Sequence, residues 1–114
     1  VNMLSALSWF SAPGSGGYSV AKAAEWALTN SLRVELAEQD TQVTGVHLGM
    51  ADTDMAAGFD GPKASPAQVA EAVLDGVEAG RPEVLVDDWS RYVKSTLSKD
   101  PAEFYTPEFL RRNN

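Results

Sequence analysis

The chain has 114 residues, which is enough for one compact domain and too few for two. Hydrophobic residues make up 44% of the chain and charged residues 22%, so a core can form and wholesale disorder is excluded. The net charge of −7 at pH 7 repels phosphate backbones and anionic lipids, which argues against nucleic acid as a partner. Cysteine is absent, which excludes disulfides, thiolate metal sites and cysteine nucleophiles.

The opening of the chain bears on its location and its completeness. No basic segment precedes the apolar stretch at the start, and no apolar run approaches the roughly eighteen residues of a membrane span. We therefore expect a soluble, cytoplasmic protein with no membrane partner. The sequence begins at Val1 and enters directly into a strand-like segment, which suggests a fragment of a longer protein.

The first half of the chain is predicted to form a strand, a helix and a second strand. Val1–Ser8 is short and apolar, and a loop with a proline and three glycines follows at 11–17. Tyr18–Glu38 contains no glycine or proline, and its alanines and leucines recur at helical spacing. Val43–Leu48 is rich in β-forming residues. This order implies parallel pairing of the strands through a right-handed crossover.

The long helix is predicted to present two different faces. Leu28 and Leu32 belong to the apolar stripe that would pack on the sheet. Trp26 projects away from that stripe, on a face shared with Asn30 and Arg33. Because large exposed apolar side chains often mark interfaces, this face is predicted to meet a partner chain.

The second half of the chain is predicted to add a lid, a helix, a strand and two more helices. Ser65 followed by Pro66 is typical of a helix start. The order β-α-β-lid-α-β-α-α predicts an α/β fold, the C-terminal part of a Rossmann-like doubly wound parallel sheet. The predicted elements are the lid at 50–63, a helix from 66 to about 80, a strand at Glu83–Val86, and helices at Trp89–Leu97 and Pro101–Leu110.

A tyrosine, a lysine and a serine form the candidate catalytic group. Tyr18 and Lys22 stand four residues apart, which places both side chains on one face of the helix. A phenol is a weak base at neutral pH, and a neighbouring ammonium favours its phenolate form. The pair alone could arise by chance. Ser5, thirteen residues before Tyr18, is placed at the carboxyl end of the first strand, the edge of a parallel sheet where ligands bind.

These residues, with a segment after the second strand, resemble the compact branch of the short-chain dehydrogenases/reductases (SDRs). The resemblance rests on Ser5, on the motif from Tyr18 through Lys22 to Ala24, and on the segment from Gly49 to Thr53. That last segment resembles the family's Pro-Gly-x-x-x-Thr pattern. Leu48 stands where the family usually has proline.

The resemblance implies a hydride transfer between NAD or NADP and a small carbonyl or alcohol substrate. It makes Tyr18 the acid/base, Lys22 the group that favours the phenolate and holds the nicotinamide ribose, and Ser5 the hydrogen-bond partner of the substrate oxygen. A carbonyl reductase or alcohol dehydrogenase is the expected type. The implied cofactor-binding residues are Tyr18, Lys22, Gly49, Met50, Ala51 and Thr53.

The resemblance also implies that residues 1–114 are the C-terminal catalytic half of such a protein. The family's glycine-rich cofactor turn, adenosine-selecting residue and catalytic asparagine belong to the first half of its fold. The glycines at 45–49 lie inside and at the end of a strand, whereas a dinucleotide turn must follow a strand and open a helix. Those at 14–17 have Ser19 where the third glycine of G-x-G-x-x-G would stand. We therefore expect the N-terminal cofactor-binding half to be absent and the chain alone to be inactive. The family further implies a homo-oligomer, a dimer or tetramer, formed through helix 18–38.

Two other functions compete with this interpretation. A non-catalytic interaction or assembly module would share the sequence but need another chain to cover its open sheet edge. An epimerase of the family's extended branch shares the tyrosine and lysine, but the short tail and the segment from Gly49 to Thr53 argue against it. A structural role is predicted for the single histidine, His47. The paired aspartates at 52 and 54 and at 87 and 88 are predicted to be solvated rather than metal-binding.

Overall fold

The computed structural model describes residues 1–112, which form three parallel strands flanked by helices. The strands lie side by side in chain order, so the predicted parallel α/β architecture is confirmed. None of the helices in this range is long and apolar enough to cross a membrane. The strands are β1 (Asn2–Met3), β2 (Gly45–His47) and β3 (Glu83–Leu85), and the helices are α1 (Gly16–Glu35), α2 (Pro66–Glu78), α3 (Asp88–Thr96), α4 (Pro101–Phe104) and α5 (Pro107–Arg112), with 3₁₀ turns at Ala6–Ser8, Ala37–Gln39 and Asp54–Ala56.

The pairing of β1 with β2 continues beyond the short regular strands. The amide of Leu4 donates to the carbonyl of Val46 over 2.8 Å, and the amide of Ala6 donates to that of Leu48 over 2.9 Å. Leu4 and Val46 are also part of the buried core. Ser5 and Gly49 therefore emerge at the same carboxyl edge of the sheet, where parallel α/β proteins bind ligands.

The face of helix α1 that was predicted to point outward faces the sheet instead. The ring of Trp26 packs edge-on against Trp9 with 5.9 Å between centroids, and Arg33 donates to the carbonyl of Pro82 over 2.9 Å. Leu28, which was predicted to lie in the core, is 56% exposed. The predictions that Trp26 points away from the packed side of the helix and that Leu28 packs on the sheet are wrong, because the indole of Trp9 provides an aromatic partner for the inner face.

The opposite side of α1, which we call the outer face, is apolar and uncovered. It carries Val20, Ala24, Leu28 and Val34, all of them exposed. Uncovered apolar side chains at this spacing are typical of a helix that packs against something further.

Helix α2 begins as predicted and lies very close to β3. Ser65 accepts from the amide of Gln68 over 3.1 Å, and the Gln68 side chain accepts from the Ser65 amide over 2.8 Å. This reciprocal pair satisfies two amides that the first helical turn leaves open. Gly76 sits on Val84, where a Cβ would overlap the valine side chain. Only glycine therefore permits this helix-to-strand approach.

The predicted C-terminal helix over 101–110 is interrupted. It forms two short helices that break at Tyr105 and Thr106, because the residue before a proline, here Pro107, is disfavoured in a helix. At the break, the Tyr105 hydroxyl accepts from the amide of Ser11 over 2.9 Å. The end of the chain is thereby joined to the loop that precedes α1.

His47 is fully buried in β2 and holds the backbone of Ser5. Its Nδ1 lies 2.9 Å from the Ser5 carbonyl oxygen, which can only accept, so Nδ1 carries the proton. The Trp9 ring stacks on the imidazole with 3.7 Å between centroids. Glu83 lies 3.9 Å from Nε2, and Lys94 lies 4.9 Å from the Trp9 ring.

Burial lowers the pKa of His47 below its ordinary value of 6.5. The hydrogen bond to Ser5 and the carboxylate of Glu83 oppose this shift, whereas the ammonium of Lys94 adds to it. The imidazole is therefore neutral at pH 7, and its hydrogen bond to Ser5 stabilises the edge of the sheet. This is consistent with the structural role predicted for it.

The depressed pKa of His47 makes the stability of the fold depend on pH. The unfolded chain binds a proton near pH 6.5 and the folded chain does so only at lower pH, so stability is full above that value and is lost as pH falls. As pH falls from about 7.5 to about 5.5, we expect proton uptake by His47 in the unfolded chain to lower the free energy of unfolding by at most about 1.4 kcal/mol. Urea unfolding at both pH values should show a smaller loss in His47→Asn than in the wild type. An equal loss in the two proteins would contradict this prediction.

Candidate active site

Ser5 lies where β1 leaves the sheet and the chain turns. Its backbone is extended, with φ of −157°, and its Oγ accepts from the amide of Leu7 over 3.1 Å. A serine satisfies this position because its short side chain caps the 3₁₀ turn that follows. Ser5 is buried, so only a ligand at the sheet edge could reach its hydroxyl.

Tyr18 and Lys22 share one face at the start of α1, as their spacing predicts. The Lys22 Nζ lies 5.7 Å from the centroid of the Tyr18 ring. The tyrosine is 49% exposed, so a ligand could reach its hydroxyl from solvent. Among the described residues, no hydrogen bond joins Ser5 to either side chain.

Lys22 connects the helix to the strand that carries Ser5. Its ammonium donates to the carbonyl oxygen of Met3 over 3.2 Å and to the Glu25 carboxylate over 2.9 Å. The carbonyl places this cation beside the end of β1, and the carboxylate offsets part of its charge. Glu25 was overlooked in the sequence because the family motif ends at Ala24, although opposite charges three residues apart indicate such a pair.

The segment that begins at Gly49 is held from the neighbouring strand. The Gly49 amide donates to Oδ2 of Asp87 over 2.6 Å. A Cβ on this glycine would lie 3.0 Å from Cδ1 of Trp89 and 3.1 Å from the same Asp87 oxygen, so a larger residue would be crowded. Further along, Ala51 forms an isolated parallel bridge with Ala64. The bridge closes the base of the predicted lid, which is a loop with one 3₁₀ turn.

The remaining residues of this segment are accessible. Met50 and Ala51 are half-buried, and Thr53 is exposed. Together with Gly49 they lie at the same edge as Ser5, where the Gly49 amide and the Met50 carbonyl are already bonded to Asp87 and Ala64.

The prediction that Asp87 is a solvated carboxylate is wrong. Asp88 is fully exposed, but Asp87 is half-buried and also accepts from the amide of Ser90 over 2.8 Å. The contact of Asp87 with Gly49 spans 38 residues, so local sequence carries no signal for it. The described residues contain no group of three or more side chains that could hold a metal ion.

A cleft of about 1120 Å³ opens beside Ala6, Gly49 and Met50. Tyr18, Lys22 and Ser5 are not among its lining residues. An apolar concavity next to polar groups at a sheet edge can accommodate an organic molecule. Its aromatic lining consists of Phe10, Phe59, Trp89, Tyr92, Phe104 and Phe109.

Solved structures similar to the chain include two that cover almost all of it. A short chain dehydrogenase from Burkholderia cenocepacia J2315, solved in complex with NADP, has 29% identity and a TM-score of 0.87 over 96% of this chain. A Novosphingobium aromaticivorans protein described as a short-chain dehydrogenase has 21% identity and a TM-score of 0.72 over 97% of this chain. The match covers 47% and 40% of those two proteins, so the chain spans less than half their length. Comparison with curated proteins gave no match.

The family comparison covers the part of the chain that holds the candidate residues. The model of the short chain dehydrogenase family matches residues 1–63, which is more than half of the 114 residues. Ser5, Tyr18, Lys22 and the segment from Gly49 to Thr53 all lie within it. The sheet order and the first solved structure agree with this match. The chain belongs to the short chain dehydrogenase family.

Proposed function

We propose that this chain is the catalytic part of an NAD(P)-dependent oxidoreductase that transfers hydride between the cofactor and a small carbonyl or alcohol. The observation that carries the proposal is the placement of the Lys22 ammonium 5.7 Å from the Tyr18 ring, at the sheet edge where Ser5 emerges. A similar protein solved with NADP supports this type of cofactor. Carbonyl reductase or alcohol dehydrogenase activity is the type proposed.

Three side chains divide the work at the substrate oxygen. Tyr18 donates a proton to the oxygen during reduction and removes it during oxidation. Once Tyr18 has given up its proton, Lys22 stabilises the resulting phenolate, because an opposite charge nearby favours the ionised form. Ser5 donates a hydrogen bond that orients the oxygen and stabilises its developing negative charge.

The nicotinamide end of the cofactor fits the residues that are present. Lys22 offers donors to ribose hydroxyls, and the Gly49 carbonyl, the Met50 and Ala51 amides and the exposed Thr53 hydroxyl offer partners to a carboxamide. When bound, the cofactor supplies or accepts the hydride. We propose that its pyrophosphate and adenosine are held by a segment upstream of Val1.

We further propose that residues 1–114 are the C-terminal half of the protein. The chain covers less than half of each similar structure, and in the described sheet β1 is an edge strand. Met3 on this strand is exposed. A preceding strand would cover this open edge, as proteins usually do.

Self-association is proposed to use α1 through its outer face rather than through Trp26. In Leu28→Glu, a charge would replace an exposed leucine at the centre of that face, and we expect the assembly to dissociate because burying an unpaired charge is costly. Sedimentation of the complete protein measures this. Leu74→Glu, at an exposed leucine on α2, is the matched control and should leave the mass unchanged. An unchanged mass in Leu28→Glu would show that this face is not the interface.

Tyr18→Phe tests the proposed reaction directly. In the complete protein this change removes the transferable proton and keeps the ring, so we expect turnover to fall roughly 10²–10⁴-fold. Cofactor binding, measured by fluorescence titration with NADPH and NADH, should be nearly unchanged. Ser95→Ala, at an exposed serine of α3, should keep full turnover. If Tyr18→Phe turns over as fast as the wild type, the tyrosine has no part in the mechanism.

The isolated 114-residue chain is expected to bind neither NADH nor NADPH tightly. Hydride transfer needs the dinucleotide fixed within about 3–3.5 Å of the reacting carbon. The described residues offer partners to its nicotinamide end, and we propose that its pyrophosphate and adenosine are held by the upstream segment. The isolated chain would therefore lack the contacts to those parts of the cofactor. Calorimetric titration with each cofactor measures the affinity. Micromolar binding to a monomer would contradict the proposal that an upstream half holds the rest of the cofactor.

A further inference from the structure

We propose that Asp87 is a positioning residue that holds the cofactor-binding segment from Gly49 to Thr53 in place. This inference rests on the proposed function, because it assigns a purpose to a contact with that segment. Asp87 lines the cleft beside Gly49, but both of its carboxylate oxygens are engaged by backbone amides. We therefore expect it to act through the Gly49 backbone rather than by binding substrate or cofactor.

The geometry gives each carboxylate oxygen of Asp87 a separate backbone donor. Oδ2 accepts from the Gly49 amide over 2.6 Å, and Oδ1 accepts from the Ser90 amide over 2.8 Å. The first contact joins two loops at neighbouring strand ends, whereas the second caps helix α3. A hydrogen bond to an ionised group is about twice as strong as a neutral one. Asp87 therefore fixes the start of the Gly49 segment to the rigid first turn of α3.

The strand pairing places Asp87 where it can do this. The amide of Val86 donates to the carbonyl of His47 over 2.9 Å, so the two strands stay in register up to the residue before Asp87. Both chains then leave the sheet at the same level. On the other side, Ser90 is fully buried, and its hydroxyl donates to the Asp87 carbonyl over 2.9 Å. The aspartate is thus itself held rigidly.

The residue that precedes Gly49 explains why a contact from Asp87 is useful there. Leu48 precedes Gly49, and leucine does not lock the backbone dihedral angle φ as a proline would. The turn therefore gains its rigidity from a partner outside it. A Cβ at position 49 would crowd Asp87 and Trp89, so the turn approaches α3 this closely because the residue there is glycine.

Asp87→Ser distinguishes the contact of Asp87 with the Gly49 amide from its capping of helix α3. Serine caps helices about as well as aspartate, but its single, shorter hydroxyl cannot serve both amides. We expect the cofactor KM of the complete protein to rise about tenfold with the substrate KM unchanged. We also expect faster hydrogen exchange at the Gly49 amide. Asp75→Ser, which removes an exposed carboxylate on α2 that does not line the cleft, should change neither quantity.

The outcomes distinguish positioning from mere stability. A lower melting temperature in Asp87→Ser with an unchanged cofactor KM would overturn the proposal, and so would a raised KM with unchanged exchange at Gly49. If the wild-type complete protein shows no NAD(P)-dependent turnover, the proposed function fails and the cofactor role of Asp87 fails with it. Exchange at Gly49 would still report whether Asp87 holds the turn.

Discussion

The candidate site depends on the parallel pairing that aligns the carboxyl ends of β1, β2 and β3. Backbone hydrogen bonds carry this alignment past the regular strands, so Ser5 and Gly49 leave the sheet together. The neutral imidazole of His47 reinforces it by donating to the Ser5 carbonyl. A side chain buried in β2 thus sets the backbone on which the Ser5 hydroxyl stands, and the position of that hydroxyl depends on the core of the sheet.

Helix α1 joins this edge through one cation. Lys22 contacts the β1 backbone and Glu25 at once, and its ammonium lies 5.7 Å from the centroid of the Tyr18 ring. The ammonium therefore has two partners before any ligand arrives, and a ribose hydroxyl would have to share it or displace one of them. Exchange of one hydrogen bond for another costs little net free energy, so this arrangement keeps the cation in place without blocking a ligand.

The sequence alone predicts those features of the fold and of the candidate site that depend on neighbouring residues. The start of α2 follows from Ser65 and Pro66, and the shared face of Tyr18 and Lys22 follows from their spacing. Prediction from sequence failed for features that depend on a residue far away along the chain. The inner face of α1 is set by the indole of Trp9, which helical periodicity does not contain. In the same way, nothing near Gly49 in the sequence reveals the carboxylate that holds it.

The contact between Tyr105 and Ser11 has a consequence for how the chain folds. It joins residues 94 positions apart, whereas the capping contacts of α2 and α3 join residues three apart. Closing a long loop costs more chain entropy than closing a short one, so contacts of wide sequence separation form late. The contact that joins the loop before Tyr18 to the C-terminal helices therefore forms only once those helices have docked. During synthesis Tyr105 is added 94 residues after Ser11, so this contact can form only when the C-terminal helices have emerged from the ribosome.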